Sequence, residues 1–171
     1  MKSALLIVVF LTAASSLAAR QQPGKVVTVQ IIVGTLDAHT VACQGKKLQP
    51  TSVLITGKAV HHCVDGKLIN HDDEKTNPAA FKATLVQLSA GDSIQWSSAT
   101  PFRVFQLVKH APVERSAPAY PFPEPLAAAF TKSVTLGPLI NLEGSVVQQY
   151  KVSFEIEKPG NRVDPDIVCS M

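Results

Sequence analysis

Charged residues are scarce in this chain, at 17% of 171 residues. Sixteen Lys and Arg stand against thirteen Asp and Glu, and the net charge of +3 is scattered rather than gathered in one run. Nucleic acid or an anionic membrane surface would require a basic footprint that is missing here. Catalytic signatures are absent too: there is no Gly-x-Ser-x-Gly elbow, no His-Glu-x-x-His and no Gly-rich phosphate loop. Asp72-Asp73-Glu74 and Asp164-Pro165-Asp166 group carboxylates, yet each suits an exposed turn better than an acid/base dyad or a calcium loop. The expectation is a protein that is not an enzyme and holds no cofactor. Long apolar runs are lacking as well. The longest, residues 4–12, is about half the ~20 residues that a bilayer-spanning helix needs. No internal repeat, low-complexity tract or sustained helical periodicity is found.

What is present begins with the N-terminus. Lys2 gives a short positive start, residues 4–12 an apolar core, and Ser16-Leu17-Ala18 small residues flanking a cut, the pattern of a secretory signal peptide over 1–18. No cysteine lies at the cut, so a lipoprotein anchor is not indicated. Polar residues 19–24 read as a leader, and 25–171 as one domain able to bury roughly 70% of its unfolded surface. The mature protein is expected to be secreted or periplasmic, with no transmembrane segment. Cys43, Cys63 and Cys169 then lie where disulfides form. Cys43 with Cys63 closes the shortest loop, stabilising by roughly 3 kcal/mol on a chain-entropy model. Cys43 with Cys169 is open if the last strand runs beside the first, and three unpaired thiols are the third possibility.

Short alternating runs dominate the rest. Residues 26–33 form a strand with Val27, Val29, Ile31 and Val33 on one face. Residues 35–52 carry only a weak pattern. A short strand at 53–56 precedes 60–64, Asp65-Gly66 and 67–70, which read as a hairpin on a type I′ turn. The stretch 81–108 organises the chain: Ala83, Leu85 and Gln87, then Ile94 and Trp96, then Phe102 and Val104 suggest three strands separated by 90–92 and 97–101. Residues 110–125 contain five prolines and predict a stiff surface connection. Residues 126–130 suggest a helical turn, and Gly137-Pro138 an edge segment. In 146–157, Tyr150, Val152, Phe154 and Ile156 point one way and Lys151, Ser153, Glu155 and Glu157 the other, and 166–169 close the chain. The pattern predicts an all-β, antiparallel Greek-key β-sandwich, with an open barrel as the alternative.

Three patterns bear on fold family: Ser89-Ala90-Gly91-Asp92-Ser93-Ile94-Gln95-Trp96 leading into Pro101-Phe102-Arg103-Val104, then Tyr150-Lys151-Val152-Ser153-Phe154, and Asp164-Pro165-Asp166-Ile167-Val168. Together they resemble the cupredoxins, the small blue-copper sandwiches, in which a Gly-Asp turn opens a strand ending in Trp and a Tyr-rich strand follows much later. The resemblance covers about 81–169. It implies a copper held by two histidines and a cysteine, with a weak axial methionine. Pro101 and Phe102 stand where the first histidine belongs, Phe154 stands at the thiolate, and residues 155–166 contain no histidine. Cys169-Ser170-Met171 offers sulfur without an imidazole. The implied protein is a cupredoxin-like sandwich without copper. An immunoglobulin-like sandwich lacks support because Trp96 is too far from Cys63 and Cys169.

Two sets of candidate residues remain. His61, His62, Cys63 and His71 are the one dense group of metal-capable side chains, and alternation puts His61 with Cys63 on one face and His62 on the other. His61, Cys63 and His71 could make a three-ligand zinc or copper site, provided Cys63 is a free thiolate. Solvated histidines around a structural cysteine are the plainer account, and His39 and His110 read as isolated surface residues. For recognition of an unknown protein or small molecule, the loops 112–125 and 97–102 are candidates, with Tyr120, Phe122 and Phe102 as aromatic contacts or as lids on the core.

Overall fold

The computed structural model describes residues 24–45, 48, 51–71, 76, 78–110, 113–141, 144, 146–158 and 160–171. The expected signal peptide over 1–18 and most of the leader over 19–24 lie outside the described residues. Elements follow in the order β1 (Val26–Val33), α1 (Leu36–Gln44), β2 (Val53–Thr56), β3 (Ala59–Val64), β4 (Lys67–Asn70), α2 (Pro78–Thr84), β5 (Val86–Ser89), β6 (Ser93–Lys109), β7 (Thr131–Leu136), β8 (Val147–Ile156), β9 (Arg162–Val163) and β10 (Asp166–Ser170). The protein is mostly β, with two short helices among the described residues. None of the described helices is long and apolar enough to cross a membrane.

The strands form one sheet in the order β4-β3-β2-β1-β6-β8-β10-β5, with β7 on β6 and β9 on β8. It is mixed, which corrects the antiparallel expectation: β1 pairs parallel with both β2 and β6, and β5 pairs parallel with β10. Side-chain alternation reports which face is buried but carries no information on strand direction. A parallel neighbour needs a crossover, and α1 supplies it between β1 and β2. Thr35 caps that helix, its Oγ1 accepting from the Ala38 N–H at 3.3 Å.

β6 is one long strand where two had been expected. Its first half pairs with β1, from Val26 opposite Ser93 to Ile31 opposite Ser98. Its second half pairs with β8, from Phe102 opposite Ile156 to Lys109 opposite Tyr150. Exposed Pro101 sits at the change of partner, where no ladder on that edge claims its missing N–H. β7 runs along the other edge of the first half and reaches Phe102 after a register shift past Ser97. The strand therefore belongs to two lobes, and the sheet curls until its ends share one core.

That core joins Val53, Ile55 and Val60 from one end to Val86, Leu88, Ile167 and Cys169 from the other. Trp96, Tyr150, Phe102 and Phe154 are fully buried between them. Phe154 meets Trp96 and Phe102 edge-on, with ring centroids 5.6 and 5.7 Å apart, the arrangement that aromatic quadrupoles favour. A smaller cluster on the opposite face holds Cys43, Leu54 and Cys63 beneath α1. The Cys43–Cys63 disulfide fastens α1 to β3 there.

The β3–β4 hairpin turns as expected, with φ of 50° at Asp65 and 77° at Gly66. On β8, Ser153 and Glu155 are buried along with the apolar face, so that strand is not wet on one side. Glu155 lies between Arg103, whose Nε donates to its Oε2 at 2.7 Å, and Arg162. Residues 126–130 form no helical turn. Ala83, placed in a strand by its spacing, belongs to α2.

Candidate functional site

The open end of the β3–β4 hairpin abuts the start of β10, and polar side chains gather there. Val53 lies opposite His62 and Leu54 opposite His61 across the β2–β3 ladder. Alternation thus aims His62 at the main core with Val53, and His61 at the opposite, α1-covered face with Leu54 and Cys63. His62 Nε2 lies 3.3 Å from His71 Nδ1. His71 Nε2 lies 3.9 Å from Asp166 Oδ2, and the Phe81 ring of α2 packs on His71 at 5.1 Å. Asp166 Oδ2 is 2.6 Å from His110 Nδ1 and accepts from Gln149 Nε2 at 2.6 Å. The result is a line of three imidazoles and one carboxylate crossing the seam between the sheet's ends.

Burial is uneven along this line. His62 and Asp166 are each 3% exposed, whereas the His110 side chain is 33% exposed. Burial pushes the His62 imidazole down from 6.5 to about 3, the His71 ring and then His61 add to the shift, and the Ser52 carbonyl opposes it. A buried imidazole without a negative neighbour stays neutral. Asp166 Oδ1 has no hydrogen-bond partner among the described residues, so the buried carboxylate is held through its other oxygen alone.

The structure separates the histidine–cysteine ligand set. Cys63 is in the disulfide and offers no thiolate, His61 points away, and His71 instead meets His62. Among the described residues, no group of three or more His, Cys, Asp or Glu is arranged to hold a metal ion. His110, expected to be isolated, is paired with Asp166. Asp166, expected in an exposed turn, is buried. His39, expected on the surface, is 3% exposed and its Nε2 lies 3.1 Å from the Ile55 carbonyl. What the sequence reading missed is the joining of β4 to β10 in space. Its one usable signal was the density of histidine at 61–71.

The aromatic candidates also move. Phe102 is 0% and Phe122 4% exposed, so both serve the core and neither is a surface contact. Tyr120 is half-buried, packs on the core and stacks edge-on against Phe122 at 5.9 Å, and burial raises its hydroxyl to about 12. Tyr150 donates its hydroxyl to the Pro118 carbonyl at 2.8 Å, tying the proline-rich loop down. Residues 113–116 and 123–125 of that loop remain exposed. On the outer face, Lys82, Leu85, Gln87, Val147, Gln149 and Val168 line an open groove of about 310 Å³.

Comparison with known proteins gave no match: no family model, no curated protein and no solved structure is significantly similar to this chain.

Proposed function

We propose that this chain is a secreted or periplasmic, cupredoxin-like module that binds a partner or serves a structural role, carries no copper and performs no catalysis. The observation that carries the reading is the Cys43–Cys63 bridge between α1 and β3, because such bonds persist in oxidising compartments. Apolar packing at the positions that the resemblance gives to copper ligands supports it. Phe102 and Phe154 fill that region with carbon at essentially zero exposure, and neither can ligate a metal. Recognition falls to the exposed part of the proline-rich loop, residues 113–116 and 123–125, presented by strands that the core makes rigid.

Purification of the full-length product from an oxidising secretory host tests this. The expected material begins near residue 19, contains one disulfide, and alkylates only Cys169 after unfolding, since that thiol is 0% exposed and burial raises it to about 12. Recovery of the product in the cytoplasm with an intact N-terminus and three thiols would refute the export reading.

A further inference from the structure

Among the described strands, no backbone pairing joins β3 or β4 to β10; beside the apolar core that they share, ionisable side chains bridge the open end of the hairpin to β10. We propose that the His62–His71 pair is an acid-released latch: closed, it accommodates one extra proton and no second, so acid loosens the open end of the β3–β4 hairpin from β10 and α2.

The geometry dictates the count. Two ring nitrogens 3.3 Å apart share one hydrogen, one ring donating and the other accepting. An added proton is accommodated on His71, which then donates to His62 and turns its other N–H toward Asp166 Oδ2, 3.9 Å away. A second would place N–H against N–H and two like charges together, at a ring only 3% exposed. Among the described residues, the groups around His62 give it no counter-charge. His61 on its own strand is a further potential cation, the Ser52 carbonyl before β2 is neutral, and α2 contributes the Phe81 ring. Asp166 of β10 is engaged by His110 and Gln149. Once the hairpin end opens, both rings enter water and titrate normally. Opening therefore takes up one proton below about pH 6.5, and its equilibrium rises by up to about tenfold per pH unit.

Hydrogen exchange on the full chain at pH 7.5, 6 and 5, corrected for the pH dependence of chemical exchange, measures this. The open fraction of the β3–β4 amides should rise about sixfold between pH 6 and 5, at protection below that of β8. In His62→Gln, which keeps a neutral donor and acceptor, the rise should fall below about threefold. An unchanged open fraction in the wild type, an equal rise in the variant, or hairpin exchange occurring only together with β8 would each overturn the latch. Ring NMR on the wild type gives an independent reading should the variant not fold: His62 neutral in the folded protein at pH 5 supports the latch, and His62 protonated there refutes it.

Discussion

Removing the Cys43–Cys63 bridge is the most direct perturbation of this architecture. The bridge spans a sequence separation of 20, for which the chain-entropy model gives about 3 kcal/mol. Both sulfurs are buried, with Cys43 1% and Cys63 6% exposed, so Cys43→Ala/Cys63→Ala also loses a little packing. At ~2–4 °C per kcal/mol for a chain of this size, Tm should fall by about 6–12 °C. Urea unfolding with and without a phosphine reductant isolates the cross-link: the wild type should lose about 3 kcal/mol on reduction, and the double variant nothing. The m-value should increase on reduction, because an unlinked denatured chain exposes more surface. The loss should also be uneven. Without the bridge, α1 keeps, among the described residues, the small cluster around Leu54 and the His39 contact with the Ile55 carbonyl, so its amides should exchange first. A reduction cost below about 1 kcal/mol, or α1 amides as protected as before, would show that helix packing rather than the bond holds this layer, and the reasoning would fail.

Other perturbations follow from the same packing. His62, held near 3 in the fold against 6.5 when unfolded, contributes stability that is complete above pH 6.5 and lost as pH falls toward 3. At pH 5 it should cost about 2 kcal/mol relative to pH 7.5, read as the difference in urea stability between wild type and His62→Gln at the two pH values. Phe154→Ala should cost about 3–5 kcal/mol by opening a cavity between Trp96 and Phe102, seen as a lowered urea midpoint and increased near-ultraviolet mobility of Trp96. Gly137→Ala should destabilise by at least about 1–3 kcal/mol, since φ is +138° there and a Cβ would come within 2.7 Å of the Ser93 Cα; thermal unfolding measures it. Cupric loading should give no intense thiolate-to-copper absorption, as no cysteine–histidine set is assembled among the described residues.

Much of the strand content was legible because alternation is a local property. β1, the Asp65-Gly66 hairpin and β8 declare themselves through period-two spacing or turn chemistry, and the Cys43–Cys63 pairing through the shortest loop. The helices were hidden for specific reasons. α1 has only His39 and Cys43 buried, four residues apart, too narrow a stripe to stand out. α2 begins at Pro78, a residue well suited to the first helical turn, but it has only seven residues, and Ala83 near its end continues into Leu85 and Gln87 with the alternation of a strand. Missing α1 concealed the crossover and hence the parallel pairing. The histidine line was half legible: residues 61–71 marked it, while His110 and Asp166, 56 apart in sequence, meet only through β8 and β10. Long-range pairing of that kind leaves no local trace.

Because β6 serves both lobes, neither can complete itself while the other is unmade. β1 appears early in synthesis, yet its partner Ser93 lies 67 residues beyond Val26, and β10 must arrive before β5 has any neighbour. Closures over such distances are slow, and they leave strand edges bare in the interval. A chain wired this way should depend on being kept unpaired during delivery, and cutting it anywhere between β1 and β10 should yield no half that folds alone.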